Sequence, residues 1–356
     1  MGEFDSYKND FSSAKQGISL KCPSCGAKLV FDPESQMFAC GACGGKFLES
    51  ELKGKTVSFS EEETFDEELK DYHCPGCGAE ILGDENTATE FCVYCGSPVV
   101  FRGRVNGLLK PRYIIPFHIS KEKAKEILKD YLKDYSFIPN SFFKEANLEK
   151  VTGIYYPFWE ADCDTDSSIV AEGVKVTTWV TGDKEYTKKE YYDIARAGKI
   201  HFDDITVNAL KSADKKLIES VLPYPIKDHK DFKMEYLSGF HAKKNDLKYD
   251  DVKSEINSKI GTYANQVLLN TISSSYDSVN LKSSKTNILS SSHDYVMLPV
   301  WILSYKYQKK HYTFAVNGVT GKAFGEIPLS RGKLAITFGS IAAGLFALLS
   351  LIGGFI

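Results

Sequence analysis

The chain has 356 residues, 43% hydrophobic and 26% charged, with a formal net charge of −3. These averages exclude a disordered or collagen-like chain, and the length leaves room for two or three domains. A wholly soluble globule is excluded by the C-terminus, where residues 334–356 carry no charge.

Charge divides unevenly along the chain. Residues 1–100 hold eight lysines and no arginine against 18 acidic side chains, and the remainder is net basic. Eight of the nine cysteines fall in this acidic part.

They read Cys22-Pro-Ser-Cys25-Gly and Cys40-Gly-Ala-Cys43-Gly, then Cys74-Pro-Gly-Cys77-Gly and Cys92-Val-Tyr-Cys95-Gly. In each set 14 residues separate the two pairs, and the array repeats at an offset of 52. A tetrahedral zinc site needs two close thiolate pairs joined by a short ribbon, which this spacing supplies twice. Glycine after each second cysteine suits a knuckle turn that enters positive φ. We therefore expect two structural Zn2+ ions in two small β zinc ribbons, at residues 18–50 and 72–100, joined by an acidic connector at 51–71. Thiolates also accept iron in a rubredoxin-like site. Disulfides would need an oxidising compartment, and the polar N-terminus carries no signal-peptide pattern. Four thiolates leave no open metal position, which argues against catalysis there. About 30 residues cannot build a core, so the metal supplies folding energy. Loss of Cys22 or Cys74 is expected to melt one ribbon and leave the rest folded.

Zinc ribbons often bind nucleic acid. Here each site adds about −2 to an already acidic region, which repels phosphates. Lys21, Lys28, Lys46, Lys53 and Lys55 leave a small basic patch on the first ribbon. Contact with cytoplasmic or membrane-associated proteins is therefore expected, and nucleic acid is not the expected partner.

Residues 104–330 read as a mixed α+β domain. Tyr113–Phe117 has strand character. Ser120 is placed to cap a helix carrying Ala124, Ile127, Leu128, Tyr131 and Leu132 on one face. Further strands are expected at Lys150–Tyr156, Ser168–Trp179 and Ile302–Tyr307, and a helix at Lys253–Thr271. Asp162-Cys163-Asp164-Thr165-Asp166 lacks the glycine and glutamate of a calcium loop and reads as a polar turn. Cys163 is expected to be a buried thiol. Ser273–Ser292 reads as a long loop or weak strand. Asn317-Gly318 and Gly321 mark a hairpin turn between His311–Val316 and Lys322–Ile327. Tyr156-Pro157-Phe158-Trp159 is echoed by Leu298-Pro299-Val300-Trp301, which raises two related subdomains as an option. No nucleophile elbow, zinc-protease motif or Walker loop is present, so no enzyme is expected. The seven histidines show no spacing that gathers them.

A helix over residues 334–356 would measure about 34 Å, enough to cross a bilayer. Arg331 and Lys333 before it place the preceding domain in the cytoplasm by the positive-inside rule, in agreement with reduced thiols. The span reads either as a tail anchor or as one span of a longer native chain. Lys306, Lys309 and Lys310, with Lys282 and Lys285, form a basic set that anionic lipid would attract weakly.

The paired ribbons, together with KPRYIIPFHISKEKAKEIL at 110–128, GIYYPFWEAD at 153–162, YLSGFHA at 236–242 and the LPVWILSYKYQKKHYTFAVNGVTGKAFGEIP stretch at 298–328, resemble the bacterial TFIIB-type zinc-ribbon membrane proteins. That resemblance covers nearly the whole chain and implies that all eight cysteines are ligands. It further implies a non-enzymatic scaffold of the membrane-stress (envelope-stress) response, with phage-shock protein A-like or SPFH-domain partners. The rival class is a membrane-tethered binder of nucleic acid or of the transcription or replication machinery.

Overall fold

In the computed structural model, the residues described are 20–52, 71–73, 80–82, 87–91, 98–100, 110–139, 142, 151–211, 213–307 and 310–353. The first ribbon comprises β1 (Leu29–Asp32), β2 (Met37–Cys40) and β3 (Lys46–Phe47) in a three-stranded antiparallel sheet, followed by α1 (Glu49–Leu52). Next come β4 (Asp71–His73) paired with β5 (Glu80–Leu82), and β6 (Thr87–Phe91) paired with β7 (Pro98–Val100). The strand read at Tyr113–Phe117 is short, β8 covering Tyr113–Ile114. Ser120 caps α2 (Lys121–Lys133), its Oγ accepting the Lys123 N–H at 3.3 Å. Ala124, Leu128 and Leu132 are buried, as the helical stripe requires.

Three strands dominate the rest: β9 (Val151–Thr181), β10 (Lys184–Asn208) and β13 (Ser278–Tyr307). Between them lie α3 (Lys215–Glu219), β11 (Lys230–Asp231), β12 (His241–Lys243) and α4 (Tyr249–Leu269). The chain continues with β14 (Lys310–Asn317), β15 (Ala323–Gly325) and α5 (Arg331–Gly353). At about 3.3 Å per residue, the 31 residues of β9 run roughly 100 Å.

The long strands change neighbours along their length. Near its start β9 lies between β12 and β13, and β14 extends the sheet beyond β13. From Phe158 onward β10 replaces β12, so the far half is a three-stranded arm ordered β10-β9-β13. From sequence this region divides into short strands, a polar turn at 162–166 and, at 273–292, a long loop or weak strand, of which the strand is what forms. Asp162–Asp166 instead lies inside β9, and Ser278–Ser292 is the first half of β13. Strand alternation explains the composition: Cys163, Thr165, Ser167 and Ile169 are buried while Asp164, Asp166, Ser168 and Val170 face solvent.

The body has apolar layers on both faces of the sheet. One holds Phe117, Leu128, Tyr155, Phe240, Trp301 and Phe314, and the other Phe158, Ile218, Val221, Leu298 and Val300. On the arm, α4 buries Val252, Ile256 and Ile260 against Ala161, Cys163, Ile205 and Val207. Each such aliphatic side chain contributes about 1.5–3 kcal/mol on burial, which holds the helix along the arm. The echoed segments are neighbours in one sheet, with Tyr156 opposite Leu298 and Pro299 opposite Tyr155. The Asn317 turn forms as read: its Oδ1 accepts the N–H groups of Val319 and Thr320 at 2.9 Å, and Gly321 has φ +77°.

Among the described residues, α5 is the one helix long and apolar enough to cross a membrane. None of its apolar 18-residue window is buried inside the fold, and Ile336 and Phe346 are 73% and 75% exposed. Its first turn is fixed to the body, Ser330 N–H donating to the Phe137 carbonyl at 2.7 Å and Lys333 Nζ to the Ile138 carbonyl at 2.7 Å.

Candidate metal centre

In the first ribbon each cysteine pair lies in a tight turn between antiparallel partners. The Gly26 N–H returns to the Cys22 carbonyl and the Gly44 N–H to that of Cys40, both at 2.9 Å. Gly26 and Gly44 each have φ +73°, the left-handed conformation that the glycine after each pair was read to supply.

These turns bring the sulfurs of Cys22, Cys25, Cys40 and Cys43 within 4.8 Å of one another. Cys22 Sγ is 3.6 Å from Cys43 Sγ, and Cys25 Sγ is 3.5 Å from Cys40 Sγ. A zinc ion with sulfurs at about 2.3 Å requires tetrahedral edges near 3.8 Å, so the cluster fits such an ion with little adjustment. Local charge points the same way. The N–H groups of Cys43 and Ala42 draw the Cys40 thiol down to about 6, while Cys25, although its Ala27 N–H contact lowers it, is pushed up to about 12 by the crowded thiols. Four thiolates cannot share this space without a cation among them.

Cys74, Cys77, Cys92 and Cys95 lie outside the described residues. The strands that flank them are described, and they repeat the pairing across each knuckle of the first ribbon but not its β1–β2 pairing, since β4-β5 and β6-β7 lie in separate sheets. The residue before each first cysteine pairs with the third residue after each second one: Lys21 with Lys28, Ala39 with Lys46, His73 with Glu80, and Phe91 with Pro98. The 52-residue offset in sequence is thus also an offset in the pairing across each knuckle.

Sequence reasoning missed how both arrays attach to the body. Residues 236–243 form the junction. Tyr236 packs edge-on to Phe31 at 5.4 Å, and its hydroxyl donates to Glu49 at 2.8 Å. Lys233 closes an ion pair with the same carboxylate. Ser238 bonds the backbone of β1, and Gly239, at φ +96°, lets Val30 approach. Phe240 stacks on Phe117 at 4.2 Å, and its carbonyl accepts the buried Thr89 hydroxyl of β6 at 2.8 Å. Ala242 then pairs with Thr89 on one side and Tyr155 on the other. The first ribbon's Leu29, Phe31 and Phe38 share one core with body residues such as Tyr236, Leu237 and Phe240.

The other candidate residues are dispersed. Cys163 is 2% exposed, and burial with nearby Asp164 and Asp162 raises its pKa, as befits an inert thiol. Lys46 is held by Asp32 at 2.8 Å. Lys282 and Lys285 sit on the arm, roughly 70–80 Å along β13 from Lys306 at about 3.3 Å per residue, and so are not one cluster with it. Two histidines that spacing could not gather have acidic partners: His201 lies 2.8 Å from Asp164 on the neighbouring strand and from Asp203 on its own, and His229 lies 3.3 Å from Glu160.

Neither a family model nor a solved structure matches the chain. A curated relative does: "Uncharacterized protein YdjG" of Bacillus subtilis (strain 168), 32% identical over 345 residues, covering 95% of this chain and 99% of the relative. At that identity over nearly the full length of both proteins, the chain belongs to the YdjG family.

Proposed function

We propose that this protein is a non-enzymatic, membrane-anchored adaptor whose two zinc ribbons present a rigid acidic surface to cytoplasmic proteins. The reading rests on one observation above all: the first ribbon and strand β6 of the second cysteine array both attach to residues 236–243 of a body tied to a membrane-spanning helix. A display fused in this way moves with its anchor, as recruitment to a membrane requires. Cys22, Cys25, Cys40 and Cys43 hold one structural zinc ion, and Cys74, Cys77, Cys92 and Cys95 a second. Arg331 and Lys333 orient the ribbons and body toward the cytoplasm. The partners are phage-shock protein A-like or SPFH-domain proteins in an envelope-stress response, a choice that rests on the resemblance of the sequence to membrane-stress scaffolds. Engagement of Lys46 by Asp32 further weakens the basic patch on which nucleic-acid binding would depend.

The test is mass spectrometry of proteins that co-purify with the full, detergent-solubilised chain after nuclease treatment. A stoichiometric membrane-remodelling or SPFH-type partner, lost in Cys22→Ser and Cys74→Ser variants, is expected. Recovery of RNA polymerase or replication proteins, or of the chain alone, overturns the reading.

A further inference from the structure

The far end of the arm outruns everything that packs on it. β13 begins at Ser278, opposite Val174, and α4 ends at Leu269, so residues 175–190 project as a two-stranded hairpin closed by Gly182 and Asp183. Side chains at the end of such a hairpin have no core to serve. Yet Trp179 and Tyr186 sit directly opposite each other and stack at 5.6 Å with ring planes 13° apart, 45% and 44% exposed. Val180, on the other face, is 69% exposed.

The charges beside the ring pair are mostly positive. By register, Lys184, Lys188 and Lys175 share its face, with Glu190 as the acidic residue there. Lys188 pairs with Glu190 at 2.9 Å, and Lys175 lies over the rings of Tyr192 and Tyr276, 5.6 and 5.4 Å from their centroids. Tryptophan and tyrosine side by side with lysines on flexible stems is the side-chain set that settles at the headgroup level of a bilayer: the rings enter the interface and the ammonium groups reach phosphate.

We propose that this hairpin tip is a second membrane contact, docking Trp179 and Tyr186 into the anionic headgroup surface of the same bilayer that holds α5. That bilayer is favoured because α5 tethers the protein to it, which keeps its surface at high effective concentration over the roughly 100 Å reach of β9. A protein held at both ends would carry its ribbons at a fixed attitude to the membrane.

The test uses the full chain in large vesicles, reconstituted with the body outward, with brominated lipid as the quencher. In vesicles containing phosphatidylglycerol, the fluorescence component lost in Trp179→Phe is expected to be quenched by bromine in the host membrane. Quenching should fall at 1 M salt and in Lys184→Gln/Lys188→Gln, by roughly fivefold in membrane partitioning for each lysine removed. The hairpin lies outside every core, so these variants should keep the wild-type melting temperature, which separates lost docking from lost folding. Equal quenching in pure phosphatidylcholine, no quenching at all, or quenching solely by bromine in added vesicles overturns the proposal. A response of Trp179 to a single-stranded oligonucleotide, with none to lipid, overturns it too.

Discussion

Ser238 donates its hydroxyl to the Leu29 carbonyl at 2.7 Å, joining residues 209 positions apart in sequence. The same residue's carbonyl accepts the Phe31 N–H at 3.0 Å, so β1 is bonded twice to one turn of the body. Ser238 is 4% exposed and Leu29 fully buried, so water cannot replace the hydroxyl. In Ser238→Ala the Leu29 carbonyl loses this donor, at a cost of about 1–3 kcal/mol. We expect a lower melting temperature together with faster transfer of metal to a chromogenic chelator. Unchanged transfer would mean that the ribbon holds its metal without help from the body.

Metal removal tests the same junction from the other side. Phe31 and Phe38 lie in a core with Tyr236, Leu237 and Phe240. Unfolding of the ribbon therefore uncovers part of the body. Cys22→Ser, or chelation, is expected to increase binding of an apolar dye and to open residues 236–243 to proteolysis. A body as resistant as the wild type would instead agree with the expectation from sequence that the ribbon melts and the rest stays folded.

The cysteine pattern made the Cys22, Cys25, Cys40 and Cys43 cluster legible, because ligand spacing and the glycine after each pair are local requirements. The helix capped by Ser120 and the Asn317 hairpin were legible for the same reason. The arm was not. Asp162–Asp166 has the composition of a turn, and its true conformation is set by His201 and Ser290, which flank Asp164 on the two neighbouring strands. Ser278–Ser292 carries few apolar residues because it forms an edge of the arm, and edges favour polar, charged and bulged sequences that discourage further pairing. Lys282 and Leu289 mark bulges there in the pairing with β9. Residues 236–243 were visible as a family resemblance, but their role depends on contacts with segments some 150 and 209 positions away.

Gly153 gives the junction its tightest packing. A Cβ there would lie 2.6 Å from Phe240 and 2.9 Å from Trp301, both held by further aromatic neighbours. Gly153→Ala is expected to cost about 1–3 kcal/mol through overpacking. Gly198, whose Cβ would meet nothing within 4 Å, supplies the matched control. Equal melting temperatures for the two alanine variants would show that Phe240 can move aside freely.

Electrostatics at the base of the arm predict a falling stability as pH rises. Asp204 sits at φ +54° in a bulge of β10, its N–H bonded to Asp162 Oδ1 at 3.0 Å. Burial, then the charge of Glu160 and to a lesser extent Asp162 and Asp203, raise its pKa to about 7, although His229 opposes them. His229 is raised as well: burial disfavours its charge, but Glu160 at 3.3 Å, Asp204 and Asp294 outweigh it. Both groups therefore hold a proton more tightly folded than unfolded. The Asp204 contribution is present below about pH 4 and is lost as pH rises toward 7; that of His229 is present below about 6.5 and is lost above its folded value. Asparagine tolerates the positive φ and cannot ionise, so Asp204→Asn isolates the effect. Compared by denaturant unfolding, the wild type should lose stability relative to this variant between pH 4 and 7. A difference that stays constant across that range would place the Asp204 carboxyl in water, away from the field of Glu160.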